Sequence, residues 1–253
     1  MAEFKQCCDP GTVWEGTPTG EEVTLGGLDT YLATPPLCQT PKGGVLVITD
    51  VFSWEAKNVR LFADRVAKAG YVAVCPDYFH GEVLTKERYT SKDFSISEWI
   101  CRYPQEQVMS ESESVLADLK TSHGIDNVGA IGFCWGGLYA LKLNASSAVK
   151  AAVLNHCSLL AYNMEVLDQI AHPVLFQCSD NDSQIPTELR HKIEEKLHAL
   201  PFNRSCLLKF YPGQEHGWTM RGDDKDASVQ WAAEEAFEAA LFFFNTHLKA
   251  ASA

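Results

Sequence analysis

Residues 129–137, GAIGFCWGG, join a short apolar run to a glycine-rich turn with one cysteine near its centre. The apolar residues 128–133 predict a buried strand and residues 136–144 predict a helix, so Cys134 stands at a strand–turn–helix junction. Glycines two positions before and after the cysteine allow the backbone to turn sharply. Strand–turn–helix units of this kind build α/β folds.

Strand and helix patterns alternate on both sides of this junction. Residues 44–49 and 71–75 are apolar runs typical of strands buried on both faces, and residues 55–69 repeat apolar side chains at helical spacing. Further strands are predicted at residues 149–155, 173–178 and 206–211, further helices at residues 109–123, 187–199 and 229–244, and an amino-terminal hairpin at residues 23–34. This alternation predicts one α/β domain over residues 1–253, with a mostly parallel central sheet and helices on both faces. Ligands of such sheets bind at the carboxyl ends of the strands.

The overall charge narrows the class of partner. Lysine and arginine number 21 against 33 aspartate and glutamate residues, and the net charge of −12 disfavours nucleic acid and anionic membranes as partners. We expect a small-molecule ligand instead. The first ten residues, MAEFKQCCDP, lack the apolar core of a signal peptide, so a cytoplasmic location is predicted. The sequence does not indicate an oligomeric state.

Nine cysteines are present, and their pattern argues against disulfide bonds. The number is odd, and no two of them form a C-x-x-C motif. We therefore expect reduced thiols, most of them buried as small hydrophobic side chains. That ordinary role is also the alternative for Cys134, because a tight turn in the core accommodates a small side chain.

Cys134 matches the pattern of a nucleophile elbow, G-x-S-x-G, with sulfur in place of the serine oxygen. In that motif the acid and the histidine follow the nucleophile in this order, each after a later strand. One later predicted strand is followed by Asp180 and Asp182, and the next by His216. The order along the chain therefore predicts a catalytic triad.

Non-catalytic interpretations also exist for the histidine and the acid of the predicted triad. A loop histidine such as His216 is often simply solvated, but Gly213 and Gly217 would let this one turn inward. Asp182 is favoured as the acid, because Asp180 is also suited to bind solvent or to cap the helix that begins near Thr187.

The chemistry assigns a role to each residue. A thiol with an ordinary pKa of about 8.5 is largely protonated at neutral pH, so His216 must accept its proton, while Asp182 orients the imidazole. Attack on an acyl carbon creates an oxyanion that needs two donors. The elbow motif supplies one from the backbone N–H of Trp135 and one from the loop at residues 50–52, here Val51.

Four short motifs together resemble the dienelactone hydrolase family of α/β-hydrolases. They are GFCWGG, DNDSQIP, GQEHGW and DVFSW. The resemblance implies an α/β-hydrolase fold and a carboxylic ester hydrolase that cleaves a lactone or an enol ester through a thioester, with Cys134, His216 and Asp182 as its triad. It also implies that no metal or organic cofactor is used. The cysteine-rich start, CCDPGTVWEGTPTG, resembles the eukaryotic, fungal-type branch.

Departures from the family pattern bear on the thiol and on the substrate. Well-studied members place a glutamate near the resting thiol, where this chain has Asp50 as the thiol-contacting acid. Bacterial members bind a substrate carboxylate with two arginines, of which the first is missing after the CPDYF turn. Arg221 is a candidate for the second, and a solvated loop arginine is the alternative. The residues expected to line the substrate pocket are Phe52, Phe79, His80, His156, Trp218 and Arg221.

Residues 77–107 are rich in aromatic and charged side chains and follow no clear period. Two interpretations remain open for them, a lid over the pocket and a long helical excursion packed by its aromatic residues.

Two other functions also remain open for the chain. One is a thiol redox sensor or small-molecule binding protein on a hydrolase scaffold, and the other is an isomerase or lyase that uses the same pocket.

Overall fold

The computed structural model describes residues 11–248, and the sequence features at residues 1–10, including Cys7 and Cys8, lie outside it. Within the described part, eight strands form one sheet. The strands are β1 (Glu21–Leu25), β2 (Leu28–Ala33), β3 (Gly44–Ile48), β4 (Val72–Pro76), β5 (Val128–Phe133), β6 (Ala152–Asn155), β7 (Val174–Asn181) and β8 (Leu207–Glu215). They are neighbours in the order β1-β2-β4-β3-β5-β6-β7-β8.

The sheet is parallel except at its amino-terminal edge. Strands β1 and β2 form an antiparallel hairpin, and β2 also runs antiparallel to β4. All other neighbours are parallel, so β3 to β8 end at the same edge of the sheet. The prediction of a mostly parallel sheet is confirmed, and its carboxyl edge is where a site is expected.

Eight α-helices surround the sheet in the described part of the chain. They are α1 (Lys57–Lys68), α2 (Lys86–Tyr89), α3 (Ile96–Ile100), α4 (Gln105–His123), α5 (Trp135–Ala145), α6 (Thr187–Ala199), α7 (Trp218–Arg221) and α8 (Ala227–His247). Among the helices of residues 11–248, none combines the length and the apolar composition that a membrane crossing requires.

The central strands divide their side chains between two apolar clusters. Leu46 and Ile48 belong to the cluster that contains side chains of α4, α5 and α6, whereas Val45 and Val47 belong to the cluster of α1 and α8. Successive side chains of a strand point to opposite faces, so helices cover both faces of the sheet. The four side chains are fully buried, as the continuous apolar run predicts.

Helix α4 begins earlier than the sequence pattern predicts. The apolar period indicates a start at residue 109, but the helix begins at Gln105, with Pro104 at its N-cap. The first three helical residues are polar, and Val108 is the first buried residue of the helix. The first turn therefore lacks the apolar side chains from which the helical period is recognised. Proline before the first turn is compatible with a helix start, because the first N–H groups have no helical acceptor.

Aromatic side chains attach the segment 77–107 to the rest of the domain. The ring centroid of Phe79 lies 4.7 Å from that of Trp99 and 4.9 Å from that of Tyr103. Its ring centroid also lies 4.9 Å from that of Trp135 of α5. The segment contains α2, α3 and the start of α4, and a lid movement of it stays a prediction.

Strands β7 and β8 extend further than predicted, and the extension matters for the site. Polar residues follow Cys178, and a proline and a glycine follow Tyr211, so the pattern predicts loops there. The backbones nevertheless keep pairing as far as Asn181 and Glu215. A register shift lies between Ser179 and Asn181. The paired ends of the two strands therefore bring the residues that follow them side by side.

Candidate active site

Cys134 lies in the turn between β5 and α5, in a strained backbone conformation. Its φ of 52° and ψ of −113° are seldom adopted by a residue other than glycine. Its N–H donates to the carbonyl of Asn155, the last residue of β6, at 3.1 Å. The turn thus holds the cysteine at the carboxyl edge of the sheet, directly before the first turn of α5.

Close backbone approach explains both glycines of the turn. A Cβ atom at Gly132 would lie 2.2 Å from the carbonyl oxygen of Gly136, and a Cβ atom at Gly136 would lie 2.2 Å from that of Ile48. The N–H of Gly136 donates to the carbonyl of Thr49 at 3.1 Å. Helix α5 therefore begins directly against the end of β3, next to the loop at residues 50–52.

This approach brings together the backbone segments that carry Val51 and Trp135. Trp135 is the first residue of α5, so its N–H is one of the first-turn donors that have no acceptor within the helix. The amino terminus of a helix also favours negative charge. The arrangement is suited to an oxyanion, and the donor role of these two residues stays a prediction.

His216 and Asp182 form a buried pair just beyond the ends of β8 and β7. Nδ1 of His216 lies 2.8 Å from Oδ2 of Asp182, and the two side chains are 2% and 1% exposed. The other carboxylate oxygen of Asp182 accepts the N–H of Gln184 at 2.8 Å. With Nδ1–H donating to the carboxylate, Nε2 is the nitrogen that is left to exchange a proton with a reacting group.

Asp180, the alternative acid, lies elsewhere. Its carboxylate is exposed and accepts a hydrogen bond from the N–H of Gly213 at 2.6 Å. This bond connects the end of β7 to the end of β8. It does not cap α6, whose N-cap residue is Pro186. The structure pairs His216 with Asp182, whereas Asp180 bonds to the end of strand β8 that leads to the histidine.

The thiol of Cys134 is almost completely buried and contacts Ser158. Cys134 is 2% exposed, and its Sγ lies 3.7 Å from Oγ of Ser158. The backbone N–H of Ser158 donates to the carbonyl of Cys134 at 2.9 Å. Serine and cysteine are therefore held together by both backbone and side chain.

Asp50, the predicted contact of the thiol, is engaged with Arg221. Oδ2 of Asp50 accepts from Nε of Arg221 at 2.7 Å, and Oδ1 accepts the N–H of Phe52 at 2.8 Å. The guanidinium lies over the ring of Phe52, 5.2 Å from its centroid. Both charged side chains are buried, so Arg221 is a paired residue of the interior and not a solvated loop arginine. A contact between Asp50 and the thiol stays a prediction.

Arg221 contributes to the lining of two cavities. One, of about 200 Å³, is lined by Asp50, Phe52 and Arg221, with Lys57 and Lys86 also contributing. A more open one, of about 500 Å³, is lined by residues of the segment 213–223, including His216, Trp218 and Arg221. Arg221 thus lines both cavities, whereas Phe52 lines the first and Trp218 the second; a role of these residues in binding substrate stays a prediction.

His156 packs against His216. Its imidazole is fully buried, and Nε2 lies 2.7 Å from Oγ1 of Thr219 in α7. Its ring centroid is 5.1 Å from that of His216 and 5.2 Å from that of Trp218. This position supports the orientation of His216; a direct contact of His156 with substrate stays a prediction.

Phe79 and His80 lie farther along the edge of the site. Phe79 is buried in the aromatic group beside Trp135. His80 turns away to helix α4, where its Nε2 lies 3.1 Å from a carboxylate oxygen of Glu111, and its side chain is 44% exposed. Of the two, Phe79 is the one that adjoins the turn of Cys134, through its contact with Trp135.

The cysteines of the described chain, residues 11–248, are all free thiols. Burial raises the pKa of Cys157 well above its ordinary value, with further contributions from Cys178 and Asp182. Burial also raises the pKa of the Cys178 thiol, to about 12. These thiols are core side chains.

Within residues 11–248, no group of three histidine, cysteine, aspartate or glutamate side chains is arranged to hold a metal ion.

Sequence reasoning missed Ser158 and Thr219. A signal for Ser158 exists, because it follows strand β6, the neighbour of the strand that leads to Cys134, and polar residues at the carboxyl edge are candidates for a site. Thr219 carries no such signal. It lies in a single-turn helix that is too short to show a period.

Comparisons with known proteins agree with this architecture. The family model described as the dienelactone hydrolase family matches residues 28–248. A carboxymethylenebutenolidase homolog of Xenopus tropicalis is 30% identical over 217 residues, which cover 86% of each chain. The hydrolase pyvD of Aspergillus violaceofuscus is 27% identical over 246 residues, 96% of this chain and 97% of that protein. A crystal structure of a putative dienelactone hydrolase from Klebsiella pneumoniae has a TM-score of 0.77 at 22% identity, covers 90% of this chain and 99% of its own, and confirms the predicted α/β-hydrolase fold.

Proposed function

The chain belongs to the dienelactone hydrolase family and is a carboxylic ester hydrolase, and from this premise we propose that it cleaves a lactone or a small activated ester through a thioester on Cys134. The observation that carries the proposal is the buried pair of His216 and Asp182, 2.8 Å apart, at the edge of the sheet where the strained turn holds the cysteine. A base with a fixed tautomer beside a nucleophile elbow is the arrangement that acyl transfer needs.

The proposed reaction has two stages. In the first, His216 accepts the thiol proton, the Cys134 sulfur bonds to the acyl carbon, and the carbonyl oxygen becomes an oxyanion held by the N–H groups of Val51 and Trp135. The carbon–oxygen bond to the leaving group then breaks, and His216 returns its proton to that oxygen. In the second stage water, deprotonated by His216, attacks the thioester and releases the acid and the thiol. Asp182 stabilises the imidazolium in both stages.

The nucleophile restricts the substrate to activated esters. A thiolate is a good leaving group, so the tetrahedral intermediate expels sulfur again unless the alcohol side leaves comparably well. Enol and aryl oxygens meet this requirement, and a strained or conjugated lactone supplies one within the same molecule. We therefore place enol lactones and aryl esters first among the substrates.

The ion pair of Asp50 and Arg221 bears on the charge of the substrate. A substrate carboxylate would have to compete with Asp50, which already accepts from Arg221 at 2.7 Å. The other arginine of the bacterial pattern is absent from the CPDYFHGEV segment. We propose a neutral lactone or ester in preference to a lactone that carries a carboxylate.

The direct test is turnover of a panel of lactones, aryl esters and thioesters by the wild-type protein and by Cys134→Ala. The proposal expects turnover by the wild type and its loss in the variant, with an unchanged circular dichroism spectrum. Cys157→Ala is the matched control, because Cys157 is also a buried thiol near the same strand ends and has no role in the proposed reaction. Retained turnover in Cys134→Ala would overturn the proposal.

Products formed in heavy-oxygen water must contain solvent oxygen in the acid, whereas an isomerase or lyase incorporates none.

A further inference from the structure

The hydroxyl of Ser158 lies against the sulfur of Cys134, and it is a donor group rather than an acid. We propose that Ser158 is a further catalytic residue, which donates a hydrogen bond to the Cys134 thiolate and so favours its formation. The inference rests on the proposed function in that it takes Cys134 as the nucleophile.

The position of the hydroxyl is set by the nucleophile itself. Ser158 N–H donates to the carbonyl of Cys134 at 2.9 Å, while Oγ lies 3.7 Å from Sγ, a distance within the range of hydrogen bonds that involve sulfur. Ser158 is 6% exposed, so water competes little for its hydroxyl. Among residues 11–248, Cys134 Sγ is the hydrogen-bond partner of this hydroxyl, and no other is present.

A hydroxyl suits both protonation states of the sulfur. It carries one donor and two acceptor positions and rotates freely, so it accepts from the neutral thiol and donates to the thiolate. A hydrogen bond to an ionised acceptor is about twice as strong as one between neutral groups. Ser158 therefore stabilises the thiolate more than the thiol, and its net effect is to favour ionisation of Cys134.

The proton balance leaves Ser158 unchanged. The thiol proton passes to His216, and Ser158 turns its own O–H toward the sulfur without giving up the proton. When sulfur bonds to the acyl carbon, the negative charge moves to the carbonyl oxygen and the bond from Ser158 weakens. Ser158 thus acts on the ionisation of the thiol and leaves stabilisation of the oxyanion to the backbone donors.

Asp50 is poorly suited to the same task. A carboxylate next to the sulfur accepts from the neutral thiol and repels the thiolate, so it favours the resting form. In this structure its two oxygens accept from Arg221 and from the backbone of Phe52. The side chain placed to assist ionisation is Ser158.

The test measures the thiol directly and needs no knowledge of the natural substrate. Wild type, Ser158→Ala and Ser158→Thr are alkylated with iodoacetamide across a range of pH, and modification is read on the peptide that contains Cys134. The proposal expects Ser158→Ala to shift the rate profile to higher pH and to slow alkylation at pH 7 about tenfold. Ser158→Thr, which keeps the hydroxyl, should restore the wild-type profile. An unchanged profile, or one shifted to lower pH, in Ser158→Ala would overturn the proposal.

Two further comparisons keep the result interpretable. Ser146→Ala removes a hydroxyl at the other end of α5, where Oγ donates to the carbonyl of Leu143, and should leave the profile of Cys134 unchanged. If Ser158→Ala does not fold, Ser158→Thr and Ser158→Val carry the same test, because they are equal in size and differ in the hydroxyl. A normal alkylation shift without any ester turnover would refute the proposed function and leave the role of Ser158 intact, so the two failures are distinguishable.

Discussion

Nδ1 of His216 lies 2.8 Å from Oδ2 of Asp182, although 34 residues separate them along the chain. The contact exists because β7 and β8 pair as far as Asn181 and Glu215, the residues directly before the acid and the histidine. Both side chains are buried, so the pair is shielded from water and holds one tautomer of the imidazole.

Substitution of Asp182 tests this pair. Asp182→Asn keeps the size of the side chain but removes the negative charge that stabilises the imidazolium, so we expect kcat/KM to fall about a thousandfold or more with an aryl ester. Asp180→Asn is the matched control, since Asp180 is exposed and bonds to the backbone of Gly213. It should keep wild-type turnover. A larger loss in Asp180→Asn than in Asp182→Asn would reverse the assignment.

Close packing at the turn makes Gly136 indispensable. A methyl group at this position meets the carbonyl oxygens of Ile48 and Thr49 at 2.2 and 2.5 Å, and neither backbone has room to withdraw. Gly136→Ala should lower the free energy of unfolding by about 3 kcal/mol or more, measured by urea denaturation. Gly81→Ala introduces strain at a φ of 82° but meets nothing within 4 Å, and should cost about 1 kcal/mol. Equal stability of the two variants would contradict the packing argument.

The effects of substituting Asp50 and Arg221 on the free energy of unfolding should depend on each other, because the two side chains form a buried ion pair. Arg221→Met leaves the Asp50 carboxylate buried without its cation and should cost about 3 to 5 kcal/mol in the free energy of unfolding. The double variant Asp50→Leu/Arg221→Met removes both charges and should recover most of that loss. Arg88→Met, at the exposed pair with Asp93, should cost less than about 1 kcal/mol. Additive losses in the double variant would show that the two charges do not depend on each other.

The core thiols of Cys157 and Cys178 should stay unmodified in the folded protein. Burial raises the pKa of Cys178 to about 12 and that of Cys157 well above its ordinary value, so both remain protonated through neutral and mildly alkaline pH. Alkylation at pH 8 followed by peptide mapping should find Cys38 and Cys101, which are exposed, modified and these two unmodified. Unfolding in urea should make Cys157 and Cys178 reactive. Rapid modification of either in the native state would contradict the described core.

Much of the fold follows from local sequence patterns. Apolar runs such as residues 44–49 identify strands buried on both faces, and β3 is fully buried as that pattern predicts. The patterns fail where backbone pairing continues under polar side chains, as at the ends of β7 and β8, and where polar residues open a helix, as at Gln105. Such boundaries depend on hydrogen bonds between distant segments, which side-chain periodicity does not record.

The site is only partly encoded in short motifs. The order of Cys134, Asp182 and His216 along the chain is visible in the sequence, because each follows a strand of a parallel sheet. The pairing of Asp50 with Arg221, 171 residues later, is not, since it depends on how α7 packs against the loop after β3. The contact of Ser158 with the thiol likewise requires the register between β5 and β6.

In the proposed reaction, Cys134 carries the acyl group during turnover. Wild-type protein mixed with an aryl ester and quenched in acid within milliseconds should gain the mass of one acyl group, located on the Cys134 peptide and released by hydroxylamine. Cys134→Ala should show no such adduct. Steady ester hydrolysis with no adduct at Cys134, or with the acyl group on another residue, would contradict the account.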